Sequence, residues 1–334
     1  MLNFLFVYMI FWWMDNEYNL LKKMKEIIDP IKKDELISNL VSCRFIKRTS
    51  KRGNEIYSFS YREAPLLMHE VARLRETAFR MIGCGSGNHI DLDNFDSEPA
   101  SYRQIIVWNS REKEIIGGYR YAVGKNYLQR TALISMSHYF KFSRKFILEY
   151  LPYCIELGRA WVNPIYQPSV TDSRSIFALD NLWEGIGAIV AENGDVKFLV
   201  GKVTIPAMYN STARILITWF MDHYYGDRNT HLAPFKPIIL PNVLTIGGRK
   251  ITGCDPEYDF KIISNYIRLL GICVPPLISV YLRLAKDMVT FGSTVNPELE
   301  NAYETGIMIA VNDIYPEKYA RYIKGPEKNE PVLL

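Results

Sequence analysis

Chemistry in this chain would start from Glu156 and Arg159, a carboxylate and a guanidinium set inside the apolar run Cys154–Val162 (CIELGRAWV). The run reads as a buried strand, apolar on both parities. Burying an unpaired charge costs several kcal/mol, so such groups persist where they are paired or used. A period of two sends residues three apart to opposite faces. Glu156 and Arg159 can therefore share a face only if the strand is kinked between them, and Gly158 is placed to mark such a bulge. Two readings stand: an acid and a base flanking a reaction centre, or a structural ion pair at a strand end.

Other charged residues sit in comparably apolar surroundings. Leu67, Val71, Leu74 and Ala78 recur at helical spacing and predict a helix over residues 65–82. Arg75 and Phe79, four apart, share a face beside that stripe, so Arg75 either reaches into a cleft or snorkels at the surface. Gly83, Gly85 and Gly87 end the helix, but they follow no strand and lack the spacing of a dinucleotide loop. Asp91, Asp93 and Asp96 come next; Phe95 stands where a calcium loop needs a ligand, so they are a solvated turn or partners for arginines. Residues 102–108 and 114–123 read as a hairpin, and Arg120 in its second strand needs an acidic partner, the nearest being residues 91–96.

The elements that must position these groups alternate as mixed α/β. After the hairpin an irregular, helix-containing connection over 124–153 leads to the strand 154–162. A helix over 173–193, a strand over 197–205 and a helix over 211–225 capped by Asn210 follow. Residues 230–334 are rich in proline, with a helix over 277–288 as their strongest element. The expected organisation is an N-terminal segment over 1–54, a core over 55–229 and a C-terminal extension over 230–334 packed on that core.

Composition narrows the function classes. The 334 residues are 48% hydrophobic and 23% charged, with a formal net charge of +4. That charge permits an acidic partner surface, while the absence of a basic stripe interleaved with aromatics argues against nucleic acid. The five cysteines lie far apart with no CxxC pair, which suits reduced thiols in a cytosol and neither zinc nor a disulfide framework. Cys154 is read as a small core residue rather than a nucleophile. Residues 1–14 (MLNFLFVYMIFWWM) are too short to span a bilayer, which needs about 20 residues. They are an interfacial anchor, or the true start is a later methionine such as Met14. Residues 18–31 pattern as a basic amphipathic helix that could lie on an anionic membrane or pack on the core.

Taken in order, Leu74-Arg75-(x3)-Phe79, Asp93-(x2)-Asp96, Gly117-Gly118-Tyr119-Arg120 and Glu156-Leu157-Gly158-Arg159 form a constellation. It resembles the acyl-carrier-protein-dependent N-acyltransferases of the GNAT superfamily. Two branches share it, the acyl-homoserine-lactone synthases and the hemolysin-like ornithine- or glycine-lipid N-acyltransferases. Leu182-Trp183-Glu184-Gly185-Ile186 and Pro275-Pro276-Leu277-Ile278-(x2)-Tyr281-Leu282-Arg283-Leu284 look like the lipid branch. The resemblance covers about residues 63–319.

The resemblance implies an α/β GNAT-like acyltransferase fold with splayed central strands, plus a C-terminal helical and irregular elaboration. The acyl-phosphopantetheine arm of acyl-carrier protein would be the donor, threading the splay, with no bound cofactor and no metal. Glu156 would be the general base with Arg159 beside it, and Arg75, Phe79, Asp93, Asp96 and Arg120 would line or brace the site. Aminolysis of a thioester needs a neutral amine, which suits a partly desolvated carboxylate of raised pKa as base. The expected reaction moves a (3-hydroxy)fatty acyl chain to the α-amine of glycine or ornithine, the first step of aminolipid synthesis. The expected location is cytoplasmic, with peripheral contact to an anionic inner membrane face through residues 1–31 as a variant.

The chain also departs from familiar patterns. The coenzyme-A pyrophosphate loop is missing, since residues 166–175 contain no glycine. No tryptophan lies between Phe79 and Trp108, where the lactone synthases usually carry one. Rival readings are an acyl-homoserine-lactone-type signal synthase and a non-enzymatic, membrane-active (hemolysin-like) protein acting through residues 1–31. A glycerolipid-type H-x4-D pair fails, because His223 and Asp227 are one residue too close.

Overall fold

The computed structural model describes residues 24–167, 177–243 and 245–324. Eight strands form one mixed sheet: β1 (Arg44–Arg48), β2 (Glu55–Phe59), β3 (Arg103–Asn109), β4 (Glu114–Val123), β5 (Cys154–Val162), β6 (Phe198–Ile205), β7 (Val289–Asn296) and β8 (Ala302–Ala310). Their order across the sheet is β1-β2-β3-β4-β5-β6-β8-β7. Every neighbouring pair is antiparallel except β5 and β6, which run parallel.

Strand period two separates the two faces. Ile105, Val107 and Ile116 join the larger core, together with helices α3 (Ala178–Glu192) and α4 (Ser211–Tyr225). Ile106, Trp108 and Ile115 point the other way, onto helices α1 (Lys33–Leu40) and α2 (Pro65–Arg80). Helix α2 buries the expected stripe, Leu67, Val71, Leu74 and Ala78, and starts with a proline whose missing N–H costs nothing in the first turn. Asn210 caps α4 through its side-chain oxygen, which accepts from the N–H groups of Thr212 and Ala213.

Two expected helices change. Residues 24–31 are not helical: Lys25 and Ile28 donate backbone N–H groups to the carbonyls of Gly87 (2.9 Å) and His89 (3.3 Å), and Ile31 donates to Glu70 (3.1 Å). Partners on a neighbouring loop, together with Pro30, displace the helical bonds that amphipathic spacing alone would favour. The rest of that expected helix, and the apolar run 1–14, lie outside the described residues. The helix expected over 277–288 is the shorter α6 (Pro276–Leu282), after which Lys286 donates to the carbonyl of Asp313 (2.7 Å) and Ala285 bridges to Ile314.

The segment 230–334 adds α5 (Pro256–Leu269) and α6 to the core, and it also supplies β7 and β8, the sheet's far edge. Its strands were hard to see because their buried positions include Thr290, Ser293, Thr294 and Asn296 rather than an apolar alternation. The Ser293 and Thr305 hydroxyls satisfy each other at 2.6 Å across that pair. Among the described residues no helix is long and apolar enough to cross a membrane.

Candidate active site

The sheet opens at its centre. β5 and β6 pair from Cys154 with Phe198 as far as Leu157 with Gly201, and no further. β5 continues to Val162 against β4, and β6 continues to Ile205 against β8, so the two strands part beyond that last pair. Each then presents an edge of backbone N–H and C=O groups with no strand across the gap.

The bulge predicted beside Gly158 is present, but its turned residue is Arg159. Gly158 pairs with Arg120 and Trp161 with Gly118, so Arg159 and Ala160 together oppose Tyr119 alone. Arg159 has a φ of +49°, a left-handed backbone that few side-chain-bearing residues adopt. The extra residue moves Trp161 onto the α2 side of the sheet, while Ile155 and Leu157 stay on the side of α3. Glu156 and Arg159 therefore share a face despite their odd spacing. Gly158 faces open space: a β-carbon built there meets no atom within 4 Å.

The opening leads into a cavity of about 550 Å³ lined by Phe79, Asp93, Arg120, Glu156, Gly158 and Arg159 among others. Glu156 is 3% exposed at its inner end. Its carboxylate accepts from the Tyr102 hydroxyl, from the backbone N–H of Ser135 (3.1 Å) and from that of Met136 (2.8 Å). The irregular connection 124–153 thus folds back over the acid and holds it by two main-chain donors. Of roughly four lone-pair positions on a carboxylate, three are taken, and the Oε1 atom accepts only the Met136 bond.

Three arginines from three elements meet the acidic turn. Arg75, from α2, is fully buried and not a surface group. Its Nε donates to Asp91 (2.9 Å), its Nη1 and Nη2 to Asp96 (3.2 and 2.9 Å), and its Nη2 also to the Asp91 carbonyl. Arg120, from β4, pairs with Asp93 and with Asp96 (3.2 Å). Arg159, from β5, pairs with Asp93 (3.0 Å) and Asp91 (3.1 Å). Three cations and three anions balance, so the turn is neither solvated nor a metal loop but the junction between helix and sheet.

Burial opposes charge on Asp96, yet Arg75 and Arg120 outweigh it and hold its carboxyl well below the usual range. Asp93 is likewise lowered: Arg120 and Arg159 overcome burial and the repulsion of Asp96. Gln104 adds a donor to Asp96 at 3.0 Å. Burial pushes the Cys154 thiol up, and it donates to the Tyr150 carbonyl (3.2 Å), as befits a core residue.

All seven residues singled out from sequence thus converge on one site. Four of its members were not among those seven: Asp91, Tyr102, Lys202 and Glu304. Asp91 was visible as a third acid of the turn. Tyr102 could be found only through its neighbour in space, Glu156, which lies 54 residues further along the chain. Lys202 and Glu304 line the cavity from β6 and β8, strands whose place beside the splay depends on sheet order.

A sheet parted at a parallel pair, with a buried carboxylate at the fork, defines a GNAT-type acyltransferase. The acetyltransferase (GNAT) domain family matches residues 74–175, the stretch that carries all seven predicted site residues. The chain is 40% identical over 316 residues to the glycine N(alpha)-acyltransferase of Bacteroides thetaiotaomicron, covering 93% of each. It is 37% identical over 314 residues to that of Phocaeicola vulgatus, covering 93% of this chain and 96% of the relative. The chain therefore belongs to this GNAT family of amino-acid N-acyltransferases. A solved CoA-dependent acyl-homoserine lactone synthase with S-adenosylmethionine and isopentyl-CoA aligns with 82% of this chain and 92% of its own, at 11% identity and a TM-score of 0.36.

Proposed function

We propose that this acyltransferase moves a (3-hydroxy)fatty acyl chain from acyl-carrier protein to the α-amine of glycine. The observation that carries the mechanism is the parting of β5 from β6 directly beside Glu156. The amides of a phosphopantetheine arm fit the unpaired strand edges as an added strand would. Its thioester carbonyl then lies at the fork. The amine nitrogen attacks that carbon while the free lone pair of Glu156 Oε1 takes its proton, directly or through one water. Backbone N–H groups of the parted strands stabilise the oxyanion. The C–S bond breaks as the amide forms, and the proton passes from Glu156 to the departing sulfur.

Arg159 acts as a positioning residue here. It is held by Asp91 and Asp93 at the bulge, and it fixes the turn on which Gly158 opens toward the donor. Phe79 supplies an apolar wall for the acyl thioester. Carrier protein rather than free coenzyme A is favoured by the glycine-free stretch 166–175, which offers no pyrophosphate cradle. Glycine is favoured over ornithine because both relatives are glycine N(alpha)-acyltransferases. Incubation of the purified protein with 3-hydroxyacyl-carrier protein, and in parallel with 3-hydroxyacyl-CoA, tests both halves. The acceptors are glycine, ornithine, other amino acids and S-adenosylmethionine, with products read by mass spectrometry. N-acylglycine from the carrier-protein donor is expected. N-acylornithine or an acyl-homoserine lactone as sole product overturns the acceptor, and turnover with the CoA donor alone overturns carrier dependence.

A further inference from the structure

The cavity is lined by three basic side chains of lysine or arginine, Arg120, Arg159 and Lys202. Arg120 and Arg159 are committed to the aspartates of the acidic turn. The Lys202 ammonium forms no ion pair or hydrogen bond among the described residues; it lies over the Tyr139 ring, 4.4 Å from the centroid. It is also the first residue of β6 inside the splay. Val200 is the register partner of Glu156 and Gly201 of Leu157, so Lys202 follows on the same face as the catalytic acid. The strands have parted by that point, so Glu156 and Lys202 face one cavity from its two walls, with space between them for an α-amino acid whose amine is turned toward one group and whose carboxylate is turned toward the other.

From this placement we infer that Lys202 is the binding site for the acceptor's α-carboxylate. The inference rests on the proposed amino-acid acceptor and says how that acceptor is held. With the carboxylate on Lys202, the amine is turned toward Glu156 and the donor fork. Glu304 lines the same wall and is tied to Asn296 (3.0 Å) and Thr204 (3.3 Å). A carboxylate there disfavours an acceptor carboxylate set beside it and so favours the lysine as its station. Burial lowers the Lys202 ammonium from its usual value, with Glu304 and Glu156 opposing that shift. Those two carboxylates offset only part of the burial cost, and a carboxylate brought beside the ammonium would pair with it directly.

The test compares wild type, Lys202→Met and Lys202→Arg with glycine and with glycinamide, which keeps the amine but lacks the carboxylate. The removed charge-assisted hydrogen bond is worth about tenfold or more in binding. Lys202→Met should therefore raise KM for glycine at least tenfold with kcat little changed, and leave glycinamide kinetics as in wild type. Lys202→Arg should restore much of the glycine affinity. Equal losses for both amines in Lys202→Met, with an unchanged melting temperature, overturn the assignment, as does an unchanged KM for glycine. A wild type that acylates glycinamide and other amines but never a free amino acid overturns the acceptor reading itself, a distinct failure visible before any variant is compared.

Discussion

Leu157 and Gly201 are the last register partners of β5 and β6, and they stand in very close contact: a β-carbon built on Gly201 would lie 2.5 Å from the Leu157 carbonyl oxygen. This pair closes the fork from below, while Gly158 beside it faces the open cavity. The two glycines therefore have opposite roles. One allows the strands to touch, and the other keeps them from being filled where they part.

Substitution separates these roles. Gly201→Ala forces the strands apart and should lower unfolding free energy by about 1–3 kcal/mol in urea titration, the usual range for overpacking. A β-carbon at Gly158 meets no atom within 4 Å, so Gly158→Val should melt near wild type yet lose at least about tenfold in kcat/KM for the acyl donor. The reverse pattern would place the donor elsewhere.

The buried arginine–aspartate cluster should dominate local stability. Arg75→Met leaves Asp91 and Asp96 short of their counter-charge and should cost about 3–5 kcal/mol, measured by chemical denaturation. Asp96→Asn should reveal the pH dependence. An Asp lowered in the folded state stabilises fully above its unfolded pKa, about 3.9. That contribution declines below this value and is gone once pH falls through the folded pKa. The stability gap between wild type and Asp96→Asn should thus be constant near neutrality and shrink in strong acid. A gap that widens on acidification would contradict the assignment.

The proposed transfer uses no cysteine. Cys254 and Cys273 are exposed, whereas burial pushes the Cys43 and Cys84 thiols up to about 12 and Cys154 higher still. Brief iodoacetamide treatment at neutral pH should label the two exposed thiols and leave turnover intact, as should Cys154→Ala. A trapped acyl-Cys154 adduct would instead require a covalent intermediate.

How much of this was legible in the sequence follows from range. The α2 stripe, the β3–β4 hairpin and the Asn210 cap rest on neighbours within a turn or two, and they stand as expected. The site's charges were legible because a buried strand rarely carries them without use. Arg159 as the left-handed residue was not, because glycine is the residue that usually accepts that backbone and one lay beside it. Lys202 and Glu304 escaped because their side of the cavity is set by β8, which returns from the far end of the chain to pair with β6. Residues 24–31 kept a helical pattern but found loop partners instead, a tertiary override of local preference.

The central claim is that Glu156 takes the amine proton at the fork. Glu156→Gln keeps the shape, and its single amide oxygen can accept either the Met136 bond or those of Ser135 and Tyr102, but it cannot take a proton from nitrogen. The direct measurement is N-acylglycine formation by Glu156→Gln from 3-hydroxyacyl-carrier protein, with folding checked by its melting curve. The account predicts a loss in kcat of about 10²–10⁴ with an intact fold; turnover near that of wild type would contradict it.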